Sequence, residues 1–451
     1  MARGKFLMRA AVVICITAVL VVTTADYLQK SDVNMKNQEF FNTDENYDVL
    51  FFGSSHVVMG ILPMVIWEEY GMTSYNLSNG GQRLAEDYWV LKEALERQNP
   101  SLVVIDTYTT NIDKKYDESI IASLHETFDP MPLSRTKIEA IYDTFPEEYR
   151  TEFLFPFSVY HNRWESISEI DFNRMVSYQK GAYENTAFAI ASVTPMPTID
   201  FSLNYTGEAE DTVNTAYLRK CIELCQERQI PVLLLMTPFN SEKHIQSSVV
   251  NTAYVLAEEY GVPFLDGMEY NPLNAACDFY DADHLNASGA RKWSSFVGGY
   301  IMRHYAITDK REDAACSQWW EDYACYTEWK LEQTDNAWAV HGFMTALQDD
   351  AFNYCIYIDP GSGAFWDDAF WNMMENAGEV NRPAGNGQGY FCVIDHLSGT
   401  VTEMSGSLEA SGVSEEMKER ITGSRDSDVH FFILDRQSGA VLKDVHYAVT
   451  N

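Results

Sequence analysis

Val49-Leu50-Phe51-Phe52-Gly53-Ser54-Ser55-His56 is the stretch on which the reading of this chain turns. Its four apolar residues have the length and character of a short buried strand. Gly53 permits a sharp turn after them. Ser55 then stands just past the carboxyl end of the strand, where open α/β sheets place their ligands. A nucleophilic serine needs to leave a strand on such a turn so that its hydroxyl faces the cleft. His56 is adjacent in sequence and is read as a neighbour of Ser55, not its partner.

Outward from this point, strands and helices alternate. Residues 66–70 close a helix before Gly71, and 74–77 form a second strand. Residues 83–98 form an amphipathic helix stopped by Asn99-Pro100, and 102–106 a third strand. After a long gap, 214–227 reads as helix, 231–236 as strand, 249–260 as helix, 262–265 as strand and 288–305 as the closing helix. This alternation predicts a parallel sheet covered on both faces. Residues 112–212 interrupt it with an aromatic-rich insertion, for example Phe153-Leu154-Phe155-Pro156-Phe157. Such an insertion is either a lid or substrate wall beside the site or a helical subdomain without substrate contact.

More than two hundred residues after Ser55 comes Asp281-Ala282-Asp283-His284-Leu285-Asn286. His284 lies just ahead of the closing helix, and Asp281, three residues earlier in a turn, can fold back onto the imidazole. A carboxylate on one ring nitrogen fixes the tautomer and stabilises the imidazolium, leaving the other nitrogen to take the proton of Ser55. Asp283 is the rival carboxylate. Leu285 is expected to pack beneath the histidine and Asn286 to cap the helix. Candidate oxyanion donors are the Ser55 N–H, the glycine loop Asn76-Leu77-Ser78-Asn79-Gly80-Gly81-Gln82, and the amide of Asn111 after the third strand. Each motif alone also fits a helix cap; the two in this order at strand ends point to an acyl-transferring serine site.

The chain has 451 residues, long enough for two domains, with 46% hydrophobic and 13% aromatic content that argues for packed cores. Its 66 acidic and 32 basic residues leave a formal charge of -34, which excludes a nucleic-acid-binding surface and disfavours polyanionic partners. At the N-terminus Arg3, Lys5 and Arg9 precede an apolar run over 10–25. At about 1.5 Å per residue the run spans roughly 24 Å, short of a hydrocarbon core of about 30 Å. It is expected to be a signal anchor or a cleavable signal peptide over 1–25, placing the body outside the cytoplasm, with 26–45 as a polar stalk. Of eight cysteines, Cys15 lies in this run. Cys316 and Cys325 could close a small loop, whereas Cys221 and Cys225 have a helical spacing that rarely suits a disulfide. No cysteine or histidine spacing suggests a zinc site, and no cofactor is expected.

Residues 306–332 read as a connector. Beyond about 333 the character changes. Three apolar strands end in Asp-x-x-Ser-Gly, at Asp359 to Gly363, Asp395 to Gly399 and Asp435 to Gly439, the last two followed by return strands. Asp accepts turn hydrogen bonds and Gly supplies positive φ, so hairpins explain the motif better than metal binding. The segment 333–451 is expected to be a small, mostly β (α+β) accessory domain.

Over roughly residues 46–305 the chain resembles the SGNH (GDSL-type) hydrolases. Gly53-Ser54-Ser55 stands where that family has Gly-Asp-Ser, Asn76 to Gly81 matches its second block, and Asp281 with His284 matches its Asp-x-x-His. The third block departs from the family's Gly-x-Asn-Asp: here it reads Tyr-Thr-Thr-Asn111, about one position late and without the glycine. The resemblance implies a flavodoxin-like three-layer α/β/α fold, Ser55 as nucleophile, and Ser55, Gly81 and Asn111 at the oxyanion hole. With the anchor and insertion, and with Pro132-Leu133-Ser134-x-x-Lys137 and Tyr160-His161-x-Arg163-Trp164, it resembles the membrane-anchored bacterial branch containing the D-alanine transfer protein and polysaccharide O-acetyltransferases. The C-terminal segment resembles interleukin-like (ILEI-type) β domains. The function so implied is an extracytoplasmic serine esterase or O-acyltransferase working on acetyl or similar groups of a cell-envelope glycan, with a possible membrane acyltransferase partner. The alternatives are a catalytically silent glycan-binding or assembly subunit and, less favoured, a secreted lipase.

Overall fold

A computed structural model describes residues 2–29, 32–165, 193–197, 203–241, 243–337, 339–385, 387–424 and 426–449. Much of the second half of the expected insertion therefore lies outside the described residues. In the N-terminal half five strands, β1 (Val49–Phe52), β2 (Ser74–Asn76), β3 (Leu102–Asp106), β4 (Val232–Met236) and β5 (Phe264–Asp266), form a parallel sheet in the order β2-β1-β3-β4-β5. Successive side chains of a strand point to opposite faces, and both faces here are covered. Leu50, Phe52, Val103, Ile105 and Leu234 join one core, with the helices Leu84–Ala94 and Val213–Glu227. Val49, Phe51, Val104 and Leu235 join the other, with Trp293 and Val297 of the closing helix Ala287–His304. Burial on both sides explains why these strands read as continuous apolar runs.

The expected elements are present with shifted edges. The helix expected over 249–260 begins six residues earlier, at Lys243, because its first turns are polar and read as loop. The last strand of the sheet is Phe264–Asp266, not 262–265. Gly71 ends the helix Pro63–Tyr70 at φ 63°. Asn286 caps Ala287–His304, its side chain accepting from the Gly289 N–H.

The N-terminal region differs from expectation. Residues 26–45 are no stalk. A helix α1 (Ala2–Gln29) is followed by α2 (Asp32–Asn42), and Phe40 and Phe41 of α2 are fully buried in the first core. Phe40 packs against Tyr47 and Tyr75, and the buried Lys36 ammonium donates to the Ser78 carbonyl. Burial lowers Lys36 to about 7. The composition of this stretch is polar, but two adjacent phenylalanines on one helix outweigh it once the sheet offers them a face. Among the described residues, no helix is long and apolar enough to cross a membrane.

The described part of the insertion contributes to the first core. Up to residue 165 it contains α3 (Ile121–Phe128), α4 (Arg135–Thr144), α5 (Arg150–Leu154) and α6 (Phe157–Tyr160), whereas 193–197 and 203–212 are irregular. Phe128, Ile141, Phe145 and Phe153 are buried with the helix Leu84–Ala94.

The connector is likewise more than a link. Ser317–Gln333 is a 17-residue helix. Trp319 near its start is buried against Trp67 and Tyr47 of the first half, and Lys330 near its end pairs with Asp349 of the second. Cys316 precedes this helix and Cys325 lies within it, about 13 Å further along the axis at 1.5 Å per residue. A disulfide spans Cα atoms less than about 7 Å apart, so these two do not pair, and all eight cysteines are free.

The C-terminal half is a second sheet, antiparallel, in the order β10-β9-β6-β7-β8, with β6 (Phe352–Ile358) central between β7 (Gly389–Asp395) and β9 (Val429–Asp435). β8 (Thr400–Gly406) and β10 (Val441–Tyr447) are the edges. The helix Asp368–Ala377 covers one face through Phe370, Trp371 and Met374; Met417 and Ile421 of the helix Glu415–Gly423 cover the other. Two of the Asp-x-x-Ser-Gly motifs are hairpin turns: Asp395 accepts from the Leu397 and Ser398 N–H groups, Asp435 from that of Ser438, and Gly399 and Gly439 have positive φ. After Asp359 the chain instead enters a short 3-10 turn and the helix Asp368–Ala377. The two sheets are joined by buried charge. Arg291 of the closing helix pairs with Glu68, Glu69 and Asp350, and Lys292 with Asp278 and Asn376.

Candidate active site

β1 hands the chain to Gly53, which has φ 155°. A Cβ there would lie 2.6 Å from Val57 and 2.7 Å from Asp106, so the glycine is required by space as well as by dihedral. Ser54 follows as the cap of the short helix Ser55–Gly60, its hydroxyl accepting from the His56 N–H. Ser55 is thus the first residue of that helix. Its own N–H has no acceptor within the helix and is free in direction to serve a developing oxyanion.

The far motif folds back as a tight turn. Asp281 Oδ1 accepts from the Asp283 N–H at 2.8 Å and the His284 N–H at 2.9 Å. The same carboxylate faces His284 Nδ1, at 2.9 Å from Oδ1 and 3.0 Å from Oδ2. Leu285 is buried and pairs with Phe279 across a single bridge, which closes the loop directly before the Asn286 cap. The other ring nitrogen, His284 Nε2, lies 2.8 Å from Ser55 Oγ. A carboxylate at Nδ1 places the ring proton there, so Nε2 accepts from the serine hydroxyl. Burial pushes the Asp281 carboxyl up. Hydrogen bonds from the His284 ring and the two backbone N–H groups outweigh it and hold the group below its ordinary value. Asp281 therefore stays ionised at neutral pH. Its rival Asp283 makes no hydrogen bond to the imidazole, and one of its carboxylate oxygens is buried without a partner.

The structure thus brings Ser55, His284 and Asp281 together. The other expected oxyanion donors, Gly81 and Asn111, follow β2 and β3, the strands on either side of β1. Gly81 has φ 71° and is exposed, and a Cβ there would lie 3.9 Å from Ile120 and Ser123 of the insertion. Asn111 ends the 3-10 turn Tyr108–Asn111. None of the hydrogen bonds among the described residues joins either residue to Ser55, His284 or Asp281. Asn76, in the same second block, has a structural role: its amide donates to the Val57 and Ile61 carbonyls and so ties β2 to the helix that carries Ser55.

Several site residues were not evident in the sequence. His56 is buried and stacks on Tyr108 with ring centroids 3.6 Å apart; Phe239 meets both rings edge-on, and His284 lies 5.5 Å from His56. Burial and the neighbouring His284 lower His56 to about 3, so it is a neutral ring in the wall of the site. Beneath the serine turn are two buried carboxyls. Asp87 accepts from the Gln82 amide, and Asp106 accepts from the Thr237 and Tyr108 N–H groups. Burial raises Asp87 to about 8 and Asp106 to about 7. Asp87 did carry a signal: it interrupts the apolar stripe of its helix, three residues after Leu84 and three before Val90, where a solvated carboxylate does not belong. Tyr108 and Phe239 had none, since only the juxtaposition of β3 and β4 brings them to His56.

Among the described residues no group of His, Cys, Asp and Glu side chains is arranged to hold a metal ion. No family model and no curated protein matches the chain. What the arrangement can do chemically follows from its geometry: a serine hydroxyl with its proton held by an oriented imidazole is a nucleophile, and the imidazolium is stabilised by an ionised carboxylate. His284 and Asp281 are 23% and 46% exposed at their side chains, so an acyl group can reach them from solvent.

Proposed function

We propose that this protein is a serine esterase or O-acyltransferase of the SGNH type, with Ser55 as nucleophile, His284 as general base and acid, and Asp281 as the orienting carboxylate. The observation that carries the reading is the continuous hydrogen-bonded line from Ser55 Oγ through His284 to Asp281. The strand order β2-β1-β3-β4-β5, that of flavodoxin-like sheets, supports it, as does the position of Ser55 beyond the end of β1.

Ser55 Oγ attacks the acyl carbonyl carbon while its proton passes to His284 Nε2. The tetrahedral oxyanion forms against the Ser55 N–H. Its collapse breaks the bond to the leaving alcohol, which takes the proton back from His284. The acyl-serine is resolved by water, giving a carboxylic acid, or by a sugar hydroxyl, giving a new ester. His284 removes the incoming proton and returns it to Ser55. The anchored placement, with a body facing a cell-envelope glycan, rests on the sequence pattern of basic residues Arg3, Lys5 and Arg9 ahead of the apolar run over 10–25. The charge of -34 favours acetyl or similar groups on a neutral or weakly charged glycan over a polyanionic one.

A fluorophosphonate probe tests the chemistry. Labelling of the folded protein that is lost in Ser55→Ala, together with release of acetate from acetylated glycan, is the expected result. A folded protein that takes no label and releases no acetate would overturn the reading.

A further inference from the structure

On the side of the first core where α2 meets the insertion there is a cavity of about 270 Å³. It is bounded by Val21 of α1, Phe41 of α2, and Leu133, Lys137, Phe155 and Phe157 of the insertion. The most exposed residues of its rim are apolar, Leu133 at 72% and Phe155 at 64%, while Gln38, Asn42 and Asp129 also line it. Monomeric soluble proteins seldom leave such residues clustered at the surface without a use for them.

The cavity is continuous with a second exposed apolar surface. Val12, Val13, Ile14, Ile16, Val19 and Leu20 of α1 are all more than half exposed. Val21, which lines the cavity, belongs to the same run. At about 1.5 Å per residue it lies roughly 12 Å back from the end of α1 at Gln29. The insertion packs along α1 through Phe157–Tyr160 and the 3-10 turn that follows. The apolar tips of the insertion are therefore level with the apolar run of α1, not beyond its end.

From this we infer that the cavity and its rim are a lipid-contacting surface: Leu133 and Phe155 sit in the acyl region of the outer leaflet beside α1, and an acyl chain of a bilayer lipid occupies the cavity. The inference rests on the anchored reading of α1. It adds that the catalytic body is set into the membrane surface and is not held away from it. The occupant is lipid rather than an anionic partner because the net charge of -34 repels anions while the most exposed rim residues are apolar.

The test uses the full chain in phosphatidylcholine vesicles. An environment-sensitive fluorophore is placed on a single cysteine replacing Leu133, Phe155, Val13 or Leu397, with Cys15, Cys316 and Cys325 changed to serine, and far-UV circular dichroism checks each fold. Leu397 is an exposed residue of the second sheet region and serves as the aqueous reference. The expected result is quenching by brominated acyl chains at 133 and 155 at least twofold above that at 397, insensitive to salt. If the label at 13 is quenched by lipid while those at 133 and 155 behave like 397, the anchor stands and this inference falls. If the label at 13 is also aqueous, the anchored reading falls with it.

Discussion

Ser55 Oγ and His284 Nε2 stand 2.8 Å apart across 229 residues of chain. The contact joins the first strand end of the parallel sheet to the loop before its closing helix, so its geometry depends on the whole first half of the molecule. The imidazole is held from the far side by Asp281 through both carboxylate oxygens.

Ser55→Ala and His284→Ala are each expected to lower ester turnover by about 10⁴-fold or more with the melting temperature little changed. Asp281→Asn should cost about 10³–10⁴-fold, because an amide no longer fixes the tautomer. Asp283→Asn should stay within about threefold of the parent, a barrier change under 1 kcal/mol. Steady-state hydrolysis of an aryl acetate measures all four. An Asp283 variant as damaged as the Asp281 one would reassign the carboxylate.

Stability should fall from mildly acidic to mildly alkaline pH because of Asp87. Its carboxyl is raised to about 8 in the folded chain by burial, against about 3.9 when unfolded. The folded state binds the proton more tightly. That stabilisation is complete below about pH 4 and is lost as pH rises through 8. Asp106, raised to about 7, acts with the same sign. Asp87→Asn keeps an oxygen acceptor for Gln82 but does not titrate. Urea unfolding at pH 5 and pH 8 should show a difference smaller by on the order of 2 kcal/mol in the variant. Equal differences in both proteins would mean that Asp87 is ionised in the fold.

Gly53→Ala should cost about 2 kcal/mol or more, since a Cβ meets Val57 and Asp106 inside 3.0 Å at a φ that L-residues avoid. The turn that aims Ser55 must shift to relieve the clash. Fluorophosphonate labelling should drop at least tenfold even at temperatures where circular dichroism shows the variant folded. Wild-type labelling in a folded variant would show that the turn tolerates the methyl group.

Arg291→Ala should destabilise the protein by about 3–5 kcal/mol, because it leaves Glu68, Glu69 and Asp350 facing one another around a buried gap. These residues lie on both sides of the junction between the sheets. Differential scanning calorimetry should therefore show two separated transitions where the parent shows overlapping ones. Limited proteolysis should open sites near the helix Ser317–Gln333. An unaltered thermogram would show that the ion pairs do not hold the halves together.

What was legible in the sequence is what short stretches encode on their own. The fold-back of Asp281 onto His284 is a three-residue turn closed by its own backbone. Gly53, Gly399 and Gly439 mark turns that only their dihedrals permit, and Asn286 announces the helix after it. The parallel sheet followed from apolar runs between helical periods. The packing of 32–42 into the core was not legible in a polar stretch, for a physical reason. Composition measures how a segment meets water, while Phe40, Phe41 and Trp319 are judged by the protein surfaces they meet.

The sequence by itself thus determined the turn after β1, the turn of Asp281 and His284 and the identity of the nucleophile candidate, because contacts within a few residues suffice for each. Only the tertiary structure decided that Ser55 and His284 touch, that His56, Tyr108 and Phe239 wall the site, and that Asp87 and Asp106 lie beneath it. Those contacts join residues from different strands and helices, and they exist only once the packed sheet has brought the elements together and excluded water from between them.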